Sequence, residues 1–139
     1  ADLHPAARLL PPPGDTRRAV ATRWMALLAG EFYPHVTRSD YPDRFGTDTD
    51  SIRARARDLG RETLRVIEEH AGLTGDPAAP FLLGETFSVA DIYLAVLSRW
   101  MGGRAWTPAH LPKVEALTRA VASRPAISPL WERHRLFSG

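Results

Sequence analysis

The segment GETFSVADIYLA, residues 84–95, predicts the start of a helix that is buried at the centre of the molecule. Residues 89–101 contain only three strongly polar side chains, Asp91, Ser98 and Arg99. A helix that is apolar nearly all round lies in the interior of a domain, so other helices must surround it. This segment therefore favours an all-α bundle.

The start of that helix shows a pattern typical of a helix N-terminus, formed by Phe87, Ser88, Asp91 and Ile92. A Ser followed three residues later by Asp is an acidic variant of the capping box, in which each side chain accepts a backbone N–H of the other residue. Phe87 and Ile92 occupy the positions of a hydrophobic staple. A catalytic Ser88 needs a base and an orienting acid, but no G-x-S-x-G elbow and no nearby His accompany it. We therefore predict a structural role for all four residues.

Helical periodicity also covers the segment before the central helix. A first helix is predicted from about Thr16, with Pro34 expected to kink or end it. The stretch TRSDYPDRFGTDTD, residues 37–50, is predicted to be a loop. A second helix is predicted from about Asp50 to His70, which makes it long for a domain of 139 residues.

Shorter helices are predicted after the central one. The first opens at Pro112, since proline suits the first helical turn, and the second at Ser128. MGGRAW, residues 101–106, is predicted to stop the central helix and to position Trp106. No alternating strand pattern and no internal repeat is found.

The first 14 residues, ADLHPAARLLPPPG, are predicted to be a linker. Pro5 and the proline run at 11–13 cannot lie inside a helix and favour an extended path. Residues 15–139 are predicted to form one helical domain, because the chain is long enough to bury a single core.

The composition excludes several classes of function. A net charge of +2 argues against a dedicated nucleic-acid binder, and the lack of Cys excludes disulfides and cysteine nucleophiles. The five His follow no ligand spacing, so no metal site is predicted. No apolar stretch reaches the length of a membrane span, and a cytoplasmic location is the best expectation.

Two surface features leave alternatives open. Tyr33 and Trp106 either face a ligand pocket or cover the core. A row of arginines four residues apart lies on one face of the second helix, and it either meets an acidic partner or forms a solvated face moderated by nearby acids. The solvated face is the favoured interpretation for this row, which consists of Arg53, Arg57, Arg61 and Arg65.

Four segments of the sequence resemble the all-helical C-terminal domain of the glutathione S-transferase superfamily, of bacterial type. They are ADLHPAARLLPPPG, EFYPHVTRSDYPDRF, FLLGETFSVADIYLA and LPKVEALTRAVASRPAI, and the resemblance covers almost the whole chain. The most specific of them introduces the buried helix with Gly84, Phe87, Ser88 and Asp91. The resemblance implies that the helices starting at Thr16, Asp50, Val89, Lys113 and Ser128 are the fourth to eighth of that family.

The resemblance also implies a function and a set of site residues. The parent protein is expected to be a glutathione transferase, with glutathione as co-substrate and no cofactor, and this domain is expected to shape the pocket for a small hydrophobic electrophile. The first two helices are expected to supply homodimer contacts. The implied pocket residues are Trp24, Leu28, Tyr33, Trp100 and Trp106.

One departure from the family bears on activity. Family members hold glutathione and the catalytic residue in an N-terminal thioredoxin-like domain, and no strands for such a domain occur here. Residues 1–14 are therefore expected to connect to it, and the chain alone is expected to be inactive. The runner-up hypothesis is a non-catalytic protein-interaction module with the same fold. A helical DNA-binding regulator ranks last, since no basic recognition helix is found.

Overall fold

The computed structural model describes residues 1–136, and their α-helices pack into one bundle. The all-α prediction is confirmed, and the described residues contain only two isolated β-bridges, both in the loop before the central helix. The predicted domain of residues 15–139 includes three residues that lie outside this description. The helices are α1 (Thr16–Leu27), α2 (Tyr33–Asp40), α3 (Thr49–His70), α4 (Val89–Leu97), α5 (Gly103–His110), α6 (Pro112–Ala122) and α7 (Ser128–Arg133).

Helices α1 and α2 are joined by a π-helical segment, Leu28–Phe32, and form one continuous helical path. The Tyr33 N–H donates to the carbonyl of Leu28, five residues back. Pro34 follows in the first turn of α2, where proline is tolerated. The helix therefore does not end at Pro34 but continues to Asp40, so the prediction of a loop from residue 37 is wrong for its first four residues.

Helix α4 lies at the centre of the bundle, as predicted. Ala90, Leu94 and Ala95 are completely buried, and α4 packs against α1 and α6. The helix is shorter than the predicted 89–101, because a turn follows Leu97. Met101 and Gly102 both adopt left-handed backbone conformations in that turn, with φ of 51° and 81°.

The central helix does stop before residues 101–106, but the sequence did not predict helix α5, which begins at Gly103 directly after the left-handed Gly102. Pro108 lies inside this short helix, and such a residue normally argues against helix. Tertiary contacts hold α5 against the end of α4: the Thr107 hydroxyl donates to the Ser98 carbonyl at 2.8 Å. A side chain at Gly103 would collide with the same carbonyl, so the two backbones approach closely only because residue 103 is glycine.

The N-terminal segment lies along the bundle. The carbonyl of Leu9 accepts the N–H of Val89 at 2.7 Å, which satisfies a backbone donor at the first turn of α4. Arg18 on α1 donates to the Asp2 carboxylate at 2.7 Å and to the Pro11 carbonyl at 2.8 Å. These contacts fix the segment next to the start of the central helix.

Candidate functional site

Two aromatic rings lie together at the surface where α2 begins and α4 has just ended. The ring centroids of Tyr33 and Trp100 are 6.0 Å apart, with an angle of 56° between the planes. Tyr33 is 45% exposed and Trp100 is 38% exposed. Burial raises the pKa of the nearby Tyr93 hydroxyl, and its proximity to Tyr33 acts in the same direction. Tyr33 and Trp100 thus form a half-exposed aromatic pair, with Tyr93 partly buried nearby.

The π-helical segment places Tyr33 at this surface. Its neighbour Phe32 is fully buried, so the Phe32 ring anchors the segment while the Tyr33 ring faces outward. A π-turn inserts one extra residue into a helix and is frequent at functional sites, because it changes which side chains face a given direction. The sequence contains no local signal for this turn other than the following Pro34.

The other predicted pocket residues take different positions. Trp24 and Leu28 are buried in the core, and the guanidinium of Arg23 lies 4.7 Å from the centre of the Trp24 ring. Trp106 is half-buried on α5. The structure therefore brings Tyr33 and Trp100 together and places Trp24 and Leu28 in the interior.

A shallow depression separates Trp100 from Trp106. It lies between the π-helical segment, α3 and the turn that precedes α5, with Gly60 and Met101 at its floor. The methyl end of Met101 reaches Gly60 so closely that a side chain at residue 60 would displace it. Arginine side chains from α3 complete the lining, namely those of Arg57 and Arg61.

The Trp106 ring is surrounded by cationic and aromatic groups. The guanidinium carbons of Arg61 and Arg65 lie 5.2 and 5.1 Å from its centroid, within the range of a cation–π interaction. The His110 ring stacks on it at 4.7 Å, with an interplanar angle of 12°. Two members of the arginine row on α3, Arg61 and Arg65, therefore contact an aromatic ring that is more than 40 residues away in sequence, a contact that helical spacing alone does not reveal.

The Ser88–Asp91 box bonds the backbone at the start of α4. Both reciprocal arms of the capping box are present, and Asp91 Oδ2 accepts the Ser88 N–H at 2.7 Å. Asp91 Oδ1 accepts the N–H of Leu82 at 2.7 Å, a contact that ties the preceding loop to the helix. Burial raises the pKa of the Asp91 carboxyl, although its hydrogen bonds from Leu82 and Ser88 act in the opposite direction.

The predicted staple residues lie beside that box. The Phe87 ring packs edge-on against Phe81, at a centroid distance of 5.3 Å, and Arg124 lies 3.7 Å from its centre. Ile92 is half-buried against the core. The protein groups around Ser88 and Asp91 thus provide the partners expected of a helix cap.

Two buried carboxylates with structural roles do not follow from the sequence pattern. Glu68 on α3 accepts backbone N–H groups at the start of α6. Glu115 on α6 forms an ion pair with Arg99, and both side chains are buried. Each carboxylate contacts residues that are distant in the chain. The only sequence signal is a glutamate at a helix position where the periodic pattern expects an inward-facing apolar residue.

The described residues contain neither a candidate metal site nor a candidate membrane span. Within residues 1–136, no three His, Asp or Glu side chains are grouped so that they could hold a metal ion. No helix in the same range combines the length and the hydropathy that crossing a bilayer requires.

Comparison with known proteins gives one family and several relatives. Residues 50–132 match the family described as glutathione S-transferase, C-terminal domain. An uncharacterised GST-like protein of Escherichia coli, YncG, is 27% identical over 128 residues, which cover 92% of this chain and 60% of that protein. The chain thus spans less than two thirds of the length of this relative.

Two solved structures share the fold. A glutathione transferase homologue from Sulfitobacter, solved with bound glutathione, superposes with a TM-score of 0.78 at 22% identity, over 96% of this chain and 63% of that one. The ternary complex of BphK, a bacterial GST, gives a TM-score of 0.68 at 24% identity, over 97% of this chain and 63% of that one. The helical bundle described above is therefore an arrangement also found in these structures.

Proposed function

The chain belongs to the glutathione S-transferase C-terminal domain family, and from this premise we propose that it is the electrophile-binding domain of a glutathione transferase. The chain spans 60% of its Escherichia coli relative, which supports the proposal that a glutathione-binding, thioredoxin-like domain precedes it in the intact protein. The relative from Sulfitobacter was solved with glutathione, which supports the same co-substrate for the intact protein.

The proposed reaction joins glutathione to an electrophilic carbon. The glutathione sulfur, as thiolate, forms a bond to that carbon, and the leaving group departs with the electron pair of the bond that breaks. The thiol proton passes to solvent. We assign activation of the thiol to the preceding domain. The residues of this chain bind and orient the electrophile and exclude water from it.

The observation that carries this proposal is the half-exposed pair of Tyr33 and Trp100. Aromatic rings left partly exposed at the surface bind a flat apolar molecule through dispersion and removal of water, and each ring buries a large area when covered. The Tyr33 hydroxyl adds a hydrogen-bond donor at the same place. The pair therefore suits an aromatic or otherwise unsaturated electrophile.

Steady-state kinetics of the intact protein with glutathione and an activated aryl halide test this proposal. Trp100→Ala is expected to raise KM for the aryl halide about tenfold, because a lost ring contact of about 1.4 kcal/mol corresponds to that factor, and to leave KM for glutathione unchanged. Trp131→Phe, at a buried Trp of α7, is the matched control. Equal effects of both variants on KM for the halide, or no conjugation by the intact protein, would contradict the proposal.

We also propose that the intact protein is a homodimer through α1 and α3. Four apolar side chains lie along these helices: Val20 and Val66, which are 40% and 43% exposed, and Leu27 and Leu59, which line a groove of about 200 Å³ whose lining also includes Glu31, Glu62 and Thr63. Exposed apolar patches of this kind on a soluble domain are typical of protein contacts. We call these four residues the apolar strip.

A further inference from the structure

We propose that α3 and α5 present a binding surface for an acidic peptide segment of a protein partner. The surface consists of Arg57, Arg61 and Arg65 together with Trp106, and we call it the arginine–tryptophan face. It goes beyond the proposed transferase function, because the pair of Tyr33 and Trp100 and the apolar strip include none of these residues. Trp106, which the family resemblance implied for the electrophile pocket, is assigned here to the peptide surface instead.

The spacing of the arginines gives the face its size. Residues four apart on a helix lie about 6 Å from each other, so the three arginines form a strip whose Cα atoms span about 12 Å. An extended peptide advances about 3.3 Å per residue. The strip therefore matches three or four peptide residues.

The Trp106 ring holds part of this strip in place. The guanidinium carbons of Arg61 and Arg65 lie 5.2 and 5.1 Å from the centroid of this ring, within the range of a cation–π interaction. A flexible arginine loses side-chain entropy when it binds an anion, and an arginine already stacked on a ring loses less. The N–H edges of a stacked guanidinium remain available for a carboxylate. The ring thus preorganises two cations for binding.

Direct ion pairs within the described residues neutralise only part of this strip. Arg57 and Arg65 form no ion pair with any residue in the range 1–136, and Arg61 has only Asp58, at 3.7 Å. Cations four residues apart on a helix repel one another. Carboxylates of a partner would remove that repulsion and form bidentate hydrogen bonds with the guanidinium groups.

The surrounding charges favour a short acidic peptide over a nucleic acid. Exposed Glu62 and Glu69 lie on the same helix and limit the positive field to the short strip. A nucleic acid carries a continuous row of phosphates and needs a longer basic surface, which a net charge of +2 does not provide. A peptide with three or four acidic residues matches the length of basic surface that Glu62 and Glu69 leave on α3.

The face also stays open in the proposed dimer. Successive residues of a helix are turned by about 100°, so Leu59 and Val66 of the apolar strip point away from Arg57 and Arg61. A partner on the arginine–tryptophan face and a second copy on the apolar strip therefore do not compete for space on α3.

Calorimetric titration of the chain with a hexaglutamate peptide at low salt tests the proposal. Each charge-assisted hydrogen bond contributes about 1.5–3 kcal/mol, so Arg57→Gln/Arg65→Gln is expected to weaken binding by at least about tenfold. Arg55→Gln is the matched control, because Arg55 is an exposed arginine of α3 outside the face. It is expected to change affinity less than about twofold. Binding is also expected to alter tryptophan fluorescence in the parent chain and not in Trp106→Phe.

Several results would overturn the proposal. They are no binding of the peptide, equal weakening by Arg55→Gln and by the double variant, or binding of inorganic phosphate or a hexanucleotide as tight as that of the peptide. A thermal melt of each variant checks its folding. If the double variant is unfolded, the single variant Arg57→Gln is titrated instead, and an unchanged affinity of Arg57→Gln for the peptide overturns the proposal. The titration contains no glutathione. A negative result would therefore overturn the peptide-binding proposal without affecting the proposed transferase function, which the kinetic experiment tests separately.

Discussion

The carboxylate of Glu68 accepts the backbone N–H of Val114 at 2.8 Å, although the two residues are 46 positions apart in the chain. Its other oxygen accepts the N–H of Lys113 at 3.0 Å. Helix α6 has Leu111 at its N-cap position, which offers no side-chain cap, so a carboxylate from α3 satisfies the free donors of its first turn. The negative charge also lies at the positive end of the helix dipole.

Glu68→Gln is expected to lower the free energy of unfolding by about 1–2 kcal/mol. The amide keeps the size of the side chain but replaces one acceptor oxygen by a donor, which leaves a backbone N–H without a partner. Urea unfolding followed by circular dichroism measures the change. Glu69→Gln, at the exposed neighbour, is the control and is expected to stay within about 0.5 kcal/mol of the parent. Equal losses in both variants would show that Glu68 is not a cap.

The buried ion pair between Arg99 and Glu115 predicts a strong coupling between the turn after α4 and helix α6. Removal of one partner leaves a buried charge poorly compensated, so Arg99→Met or Glu115→Leu alone is expected to cost about 3–5 kcal/mol. The double variant is expected to be more stable than the sum of the two losses predicts, because it buries no unpaired charge. A double-mutant cycle from urea unfolding measures this coupling, and strict additivity would contradict it.

Arg119 provides the control for that cycle. Its guanidinium also contacts Glu115, at 2.7 Å, but its side chain is exposed to solvent. Its removal leaves Glu115 paired with the buried Arg99, and an arginine exposed to solvent contributes only about 0–1 kcal/mol to an ion pair. Arg119→Gln is therefore expected to change the unfolding free energy far less than Arg99→Met, even though both remove a cation beside the same carboxylate.

The apolar strip predicts how the protein associates. In a twofold dimer each substitution occurs twice, so Val66→Asp buries two carboxylates that lack partners and is expected to weaken self-association at least about 100-fold. Sedimentation velocity measures the shift towards monomer. Leu130→Asp, at an exposed leucine of α7, introduces the same charge away from the strip and is expected to have no effect. A monomeric parent protein would contradict the proposed dimer.

The sequence predicts those parts of the fold that local patterns determine. The box at Ser88 and Asp91 and the apolar run behind it identify the central helix, since both depend on residues within one or two turns. Helix α5 could not be predicted, because its stability comes from the Thr107 contact and the close approach at Gly103 rather than from helix propensity. The same reasoning applies to the π-turn before Tyr33, whose neighbours in space belong to α3.

The candidate site was predictable only in part for the same reason. Tyr33 and Trp100 are conspicuous aromatics in the sequence, but their contact depends on how α2 meets the turn after α4. The arginine row on α3 is visible as a spacing of four, whereas its contact with Trp106 depends on α5. Spacing within one helix is a local property, and the partner of a helix face is not.

Two aspartates at helix starts predict opposite responses to pH. Burial raises the pKa of the Asp91 carboxyl above 3.8, so the folded protein binds this proton more tightly than the unfolded chain does. The stability that proton binding provides is present below pH 3.8 and is lost as the pH rises through the raised pKa. At the N-cap of α1, hydrogen bonds from Arg17 lower the pKa of Asp15. Its contribution to stability is present above 3.8 and is lost as the pH falls through the lowered pKa.

Urea unfolding of Asp91→Asn and Asp15→Asn between pH 7 and the lowest pH at which the fold persists separates these two responses. Asp91→Asn is expected to be less stable than the parent at pH 7, because an amide offers one acceptor where the carboxylate receives three hydrogen bonds. The difference in unfolding free energy between the unsubstituted protein and Asp91→Asn is expected to widen as the pH falls, since only the unsubstituted protein gains stability from proton binding at residue 91. The smaller difference for Asp15→Asn is expected to narrow over the same range. If both differences in unfolding free energy narrowed as the pH fell, the hydrogen bonds to Asp91 would affect its pKa more strongly than its burial does.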